Sequence, residues 1–154
     1  MRVWPAAGRL GYWLVWPLMW IYLRDSERTR LLLINDMDKL LVVKGWLAGS
    51  NRWALPGGGI RKGESPQQCL LREVTEEVGL TLQENQIKLL RKASIKSKGF
   101  RFHLHIFTCR IVGEPAIKLQ RSEIVTAAWV DIRCLNDKNA EPDIMLALAG
   151  LPEV

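Results

Sequence analysis

Three glutamates, Glu73, Glu76 and Glu77, follow Arg72 in the run Arg-Glu-Val-Thr-Glu-Glu. Were that run helical, the i, i+3 and i+4 spacing would set all three carboxylates on one face, where like charges cost about 0.2–0.5 kcal/mol per pair. A bound cation gives such a face a reason to exist. Hard divalent ions prefer carboxylate oxygen, and magnesium commonly bridges a few protein carboxylates to substrate phosphates while keeping some of its water. There it can neutralise and orient a pyrophosphate and lower the pKa of an attacking water. Gly57, Gly58 and Gly59 stand upstream and let the backbone approach a metal or phosphate without side-chain obstruction. Glu64, eight residues before Arg72, is placed to pair with that arginine, and Arg72 to hold the neighbouring Glu73 carboxylate in a working orientation.

Residues 58 to 80 fill the pattern G-x5-E-x7-R-E-U-x-E-E-x-G-U at every position: Gly58, Glu64, Arg72, Glu73, Val74, Glu76, Glu77, Gly79 and Leu80. A pattern this long arises by chance in fewer than about one window in a million, which sets aside a plain surface helix beside a glycine-rich loop. The segment resembles the Nudix (MutT-like) hydrolase signature, and Trp53-Ala-Leu-Pro-Gly-Gly and Trp129-Val-Asp131 look family-like as well. The resemblance implies a Nudix-type α/β/α sandwich. It also implies hydrolysis of a nucleoside diphosphate linked to some further group, with Mg2+ or Mn2+ as cofactor. Carried over by position, Glu76, Glu77 and the Gly57 carbonyl are implied metal ligands, and Glu73 a ligand or the general base. Family members often add an acidic residue from a later loop. Glu123 stands where that residue is expected, with Glu114 a weaker choice.

The elements that must position these groups are legible around the motif. Ser65-Pro66 has the form of an N-cap followed by proline at the first helical position, and the helix is expected from Pro66 to Val78, stopped by Gly79. Arg30 to Ile34 and Leu40 to Val43 read as buried strands joined by a hairpin turn at Asn35 to Lys39, and Trp53 to Leu55 as a further short strand. Ile87 to Ile95, Phe100 to Val112 and Ala127 to Ile132 read as strands, with Lys98-Gly99 as the hairpin tip between the first two. A last short helix is expected from Pro142 to Ala149. Strands around one central helix, with another helix at the end, predict an α/β fold with a mixed β-sheet between helices.

Length and charge bound what surrounds this device. The chain has 154 residues, enough for one domain to bury its own core. Twenty-two Lys and Arg against 16 Asp and Glu give a net +6, which favours anionic partners: nucleotides, polyphosphates, RNA or acidic membrane surfaces. Three scattered cysteines, Cys69, Cys109 and Cys134, offer no disulfide framework or zinc spacing and fit a cytoplasmic protein. Residues 1–25 read as an apolar, Trp-rich N-terminal extension and 26–154 as the hydrolase domain. Within the extension, residues 10–23 are uncharged but shorter than the roughly 20 apolar residues of a membrane span, and Pro17 interrupts them. Three readings stand: packing on the domain or in a homodimer, an interfacial membrane anchor, or a span. Every proposed catalytic group lies after this segment, so its removal is expected to leave the active site in place.

Recognition of the rest of a substrate falls to basic and aromatic residues near the motif. Lys44, Arg52, Arg61 and Lys62 are candidate phosphate contacts, and Trp46 a candidate stacking platform for a base. His103 and His105 alternate along one strand and point to one face, where a polar sheet surface or a substrate contact is favoured over zinc. Nudix relatives specialised for NADH, ADP-ribose or dinucleoside polyphosphates carry proline or tyrosine marks beyond the motif, and Leu90 to Phe100 holds neither residue. The expected activity is a metal-dependent pyrophosphohydrolase of nucleoside triphosphates or related nucleotides. RNA 5′-end pyrophosphohydrolysis and a non-catalytic nucleotide- or RNA-binding module stand as alternatives.

Overall fold

The computed structural model describes residues 25–45, 51–97, 100–119 and 124–151. Trp46, Glu123, the Lys98-Gly99 tip and the 10–23 segment lie outside the described residues, and with them the expectations placed there.

Five strands form one sheet: β1 (Asp25–Asn35), β2 (Lys39–Gly45), β3 (Lys88–Ser97), β4 (Phe100–Ile111) and β5 (Ile124–Asp131). Their order is β3-β4-β1-β2-β5, with β1 and β4 parallel and the other neighbours antiparallel. The expected mixed sheet is therefore present. Along β1 the side chains alternate between two cores. Leu31 and Leu33 join Leu41, Val43 and Phe107 on one face, and Leu32 and Ile34 join Leu40, Val42, Leu104 and Ile106 on the other. A sheet apolar on both faces needs a helix on each.

The first face is covered by α1 (Pro66–Val78), whose Leu70, Val74 and Val78 are fully buried. Burying each of these side chains contributes on the order of 1.5–3 kcal/mol, so packing outweighs the mutual repulsion of the three glutamates on the helix's free side. The ends of α1 fall where its sequence puts them. Ser65 caps the N-terminus in a reciprocal capping box with Gln68, Pro66 opens the helix, and Gly79 at φ 70° ends it with its N–H on the Thr75 carbonyl. The second face is covered by α2 (Pro142–Leu148), which buries Ile144 and Ala147.

Two expectations are corrected. Trp53 to Leu55 does not form a strand; Ala54 and Trp53 make single bridges to Val43 and Ala140. β1 begins at Asp25, well before the apolar run, because β4 pairs with it through Asn35 over eleven positions.

Candidate active site

The glycine run is built against the first half of β1. Thr29 N–H donates to the Gly58 carbonyl at 2.9 Å, Leu31 N–H to Pro56 at 3.0 Å, and Ile60 N–H to Glu27 at 3.1 Å. The loop thus fills the edge of β1 that β2 leaves open near its start. Gly57 sits at φ +135° with its would-be Cβ only 2.3 Å from the Thr29 carbonyl oxygen, so no side chain fits there. The thiol of Cys69 ties α1 to this loop, donating to the Gly59 carbonyl at 3.3 Å and accepting from the Thr29 hydroxyl at 3.5 Å. Burial pushes that thiol's pKa up and keeps it a donor.

Arg72 is the hub of the carboxylates. Its Nε and Nη2 donate to the two oxygens of Glu64 at 2.8 and 3.0 Å, and its Nη1 donates to Glu73 at 2.7 Å and Glu76 at 3.0 Å. The forked hydrogen bond from Arg72 holds the Glu64 carboxyl down at about 2, and the same bonds keep the guanidinium firmly protonated. The sequence-based pairing of Glu64, Arg72 and Glu73 is what the structure contains. Glu77 is anchored from the other side, where Gly57 N–H donates to its Oε2 at 2.8 Å. Glu73 and Glu64 are largely enclosed, whereas the Glu76 side chain is 43% exposed. Arg61 lies at the open side with its Nη2 3.7 Å from Glu76.

A second arginine braces the loop from the opposite face of the sheet. Arg30 Nη1 donates to the Gly57 carbonyl at 2.8 Å and to Thr29 O at 2.9 Å, while its Nε pairs with Asp143 of α2 at 2.9 Å. Asp143 is buried, and that burial pushes its carboxyl pKa up against the pull of Arg30. Neither residue was among the sequence-derived candidates. Asp143 reads in sequence as an ordinary acid in the first turn of a short helix, and no spacing links it to a residue 113 positions earlier.

Other candidates stand elsewhere. Lys44 lies over the Trp53 ring, 4.3 Å from its centroid, and donates to Asn51, on the sheet face that carries α2. Arg52 lines a cavity of about 350 Å3 with Asp137, Pro142 and Met145. Glu114 follows the far end of β4 and pairs with Lys39 at 2.6 Å. Six residues of β1, about 20 Å at 3.3 Å each, separate Thr29, which bonds Gly58, from Asn35 at the end of the sheet where Glu114 sits, so Glu114 lies away from Glu73. His103 meets Ser94 at 2.9 Å and His105 meets Glu27 at 3.5 Å, both on the α1 face of the sheet.

Glu73, Glu76 and Glu77 carry hard oxygen donors of the kind a divalent cation such as magnesium takes, whereas the Gly57 carbonyl is engaged by Arg30. Gly58 keeps the cradle open, because a Cβ there would lie 2.3 to 2.7 Å from the Glu73 carboxyl atoms. Among the described residues no three His, Cys, Asp or Glu groups converge as a ready metal cage. Arg72 bonds Glu73 and Glu76, so an ion taken up by these two carboxylates would exchange one cationic partner for another.

The sequence matches the NUDIX domain profile over residues 26–148. An RNA pyrophosphohydrolase from Acinetobacter baylyi is 45% identical over 67 residues, which cover 41% of this chain and 39% of that protein. Its counterpart from Mannheimia succiniciproducens is 37% identical over 68 residues, 44% of this chain and 34% of that protein. This chain therefore aligns with well under half the length of these relatives. Among solved structures, a MutT NUDIX hydrolase from Burkholderia pseudomallei superposes with a TM-score of 0.73 at 17% identity, covering 83% of this chain and 98% of that one. A NUDIX hydrolase from Nitrosomonas europaea gives 0.67 at 26% identity over 82% and 87%. Nudix hydrolases generally use divalent metals and act on phosphoanhydride substrates, and among the described residues no helix is long and apolar enough to cross a membrane.

Proposed function

The chain belongs to the Nudix family, and on that premise we propose that it is a metal-dependent pyrophosphohydrolase of nucleoside diphosphate derivatives. The observation that carries this reading is the anchoring of the motif's acids, Glu64, Glu73 and Glu76 by Arg72 and Glu77 by the Gly57 N–H. Glu76, Glu77, Glu73 and the Gly57 carbonyl would hold Mg2+ or Mn2+, with Glu123 as a further ligand. When bound, such an ion supplies charge neutralisation at a phosphoanhydride and a more acidic water.

The protein's own groups do the rest. Arg72 and Glu64 are positioning residues, since their forked bond fixes the rotamer from which Arg72 directs Glu73. Glu73, enclosed against Gly58, would act as a ligand of the ion or as the general base that takes a proton from the attacking water. Arg61, exposed beside Glu76, is suited to a substrate phosphate, and Lys44, Arg52 and Trp46 are further candidates for the remainder of the substrate. A second reading, RNA 5′-end pyrophosphohydrolysis, is favoured by the similarity to RNA pyrophosphohydrolases.

The test is turnover of the purified protein on a panel of nucleotides and a 5′-triphosphorylated RNA with magnesium, read as released phosphate or pyrophosphate. Release that is lost with Glu76→Gln or Glu77→Gln is expected. Absence of release from every substrate, or unaltered release by both variants, would overturn the proposal.

A further inference from the structure

On the sheet face that carries α1, β3 and β4 present a row of cations for which the hydrolytic site has no use. Alternation outward from the buried Phe107 puts His105, His103 and Arg101 on this face. The register sets Lys92 opposite His105, Ser94 opposite His103 and Lys96 opposite Arg101. Lys92, Ser94, Lys96 and Arg101 are exposed, and the inner residues line an open groove of about 310 Å3 together with Glu27.

This ladder is unbalanced within the protein. Like charges directly opposite one another in an antiparallel pair are destabilising, and Lys96 facing Arg101 is such a pair. Among the described residues, Glu27 is the one carboxylate lining the groove, and Lys92, Lys96 and Arg101 have no hydrogen-bond or ion-pair partner. An external polyanion relieves that repulsion.

Position decides what kind of polyanion fits. His105 pairs across the sheet with Thr29, whose N–H bonds the Gly58 carbonyl. The inner end of the ladder is thus two strand spacings, about 10 Å, from the glycine loop, and Lys96 and Arg101 lie four residues, about 13 Å, along the strands from there, so about 16 Å or more from the loop. A mononucleotide carries all its charge at the phosphate end. Held at the glycine loop, it has nothing left for Lys96 and Arg101, whereas an oligonucleotide places a further charge at each residue.

We propose that the β3–β4 ladder of Lys92, Lys96, Arg101 and the two histidines tracks the phosphodiester backbone of a 5′-polyphosphorylated RNA whose 5′ end lies at the glutamate–glycine site. The ladder reads charge, not sugar. That the chain is RNA rests on the hydrolase reading above, and the experiment separates the two.

Full-length protein is titrated in EDTA, without turnover, against a 12-nucleotide RNA with a 5′-triphosphate and a 3′-fluorescein, from 50 to 200 mM salt. Each phosphate contact to a single strand contributes about 0.7 to the slope of log K against log salt. A Lys92→Gln/Lys96→Gln/Arg101→Gln variant should therefore lose about 2 from the slope and bind at least tenfold more weakly, while melting like the parent. With magnesium, its KM for the RNA should rise by more than its KM for a nucleoside triphosphate. Should the triple variant fail to fold, Lys96→Gln and Arg101→Gln singly should each remove about 0.7 of slope. Unchanged slope and affinity in a folded variant, or equal losses on RNA and nucleoside triphosphate, would overturn the proposal. RNA binding that depends on the ladder in a protein that turns over no substrate would leave the ladder standing and remove the hydrolase reading instead.

Discussion

Three consecutive glycines at the mouth of the site make unequal demands, and alanine at each position separates folding from chemistry. At Gly58 an added Cβ would lie 2.3 Å from the Glu73 carboxyl carbon, about 1 Å inside ordinary contact. The backbone there is not in the left-handed region, and the obstructing atoms are the end of a side chain, so the fold can yield by pushing the carboxylate aside. Arg72 holds that carboxylate at 2.7 Å and would be dragged from its own geometry. Misplacement of a catalytic group by about 1 Å costs on the order of 10²-fold, so Gly58→Ala should lower kcat/KM about a hundredfold, ~2.7 kcal/mol, with melting almost unaltered. At Gly57 the obstruction is the Thr29 backbone and φ is +135°; Gly57→Ala should instead depress the melting temperature sharply. At Gly59 nothing lies within 4 Å of the added Cβ, and Gly59→Ala should keep both properties. The assays are steady-state hydrolysis and thermal melting of the three variants side by side. Full activity in Gly58→Ala, or a loss in Gly59→Ala equal to that in Gly58→Ala, would refute the reasoning.

Three further outcomes follow from the same contacts. Arg72→Lys replaces a fork that reaches three carboxylates with a single point charge; kcat should fall about 10- to 100-fold while substrate KM changes little, checked by steady-state kinetics. Glu64 has a folded pKa of about 2 against an ordinary 4.5, so its contribution to stability is full above about pH 4.5 and fades as pH falls toward 2. Urea midpoints at pH 7, 4 and 3 should accordingly drop more steeply for the parent than for Glu64→Gln. Asp143→Ala leaves Arg30 enclosed without its partner and should cost about 3–5 kcal/mol in urea unfolding, whereas Arg30→Met with Asp143→Leu should recover much of it.

What the sequence disclosed was local, and what it hid was not. The helix from Pro66 to Val78 was readable to the residue, because capping serine, proline, apolar stripe and stopping glycine all lie within fifteen positions. The Glu64–Arg72–Glu73 contact was readable for the same reason. By contrast, Asp25 to Thr29 are polar and give no strand pattern; they become strand because Arg101 to His105 pair with them from far along the chain. Trp53 to Leu55 had the composition of a strand but met only single bridging partners. Arg30 and Asp143 were missed because an ion pair between distant elements leaves no periodic trace. Glu114 was a plausible acid by order along the chain, and only the sheet's direction puts it at the far end.

The parallel pairing of β1 with β4 also sets a schedule. Asp25 meets Arg101, and Asn35 meets Ile111, so the strand that carries the glycine loop waits for partners made some 76 residues later. A growing polypeptide that has just completed Leu80 already holds the entire motif, yet has no neighbour for one long edge of β1. At roughly 5–20 residues per second, the remaining stretch to Ile111 takes about 2–6 s. Until then the apolar run Leu31 to Ile34 is unprotected, and pairing so distant in sequence is intrinsically slow. Synthesis therefore seats the glycine loop's strand not when the motif is finished but only once the fourth strand has arrived.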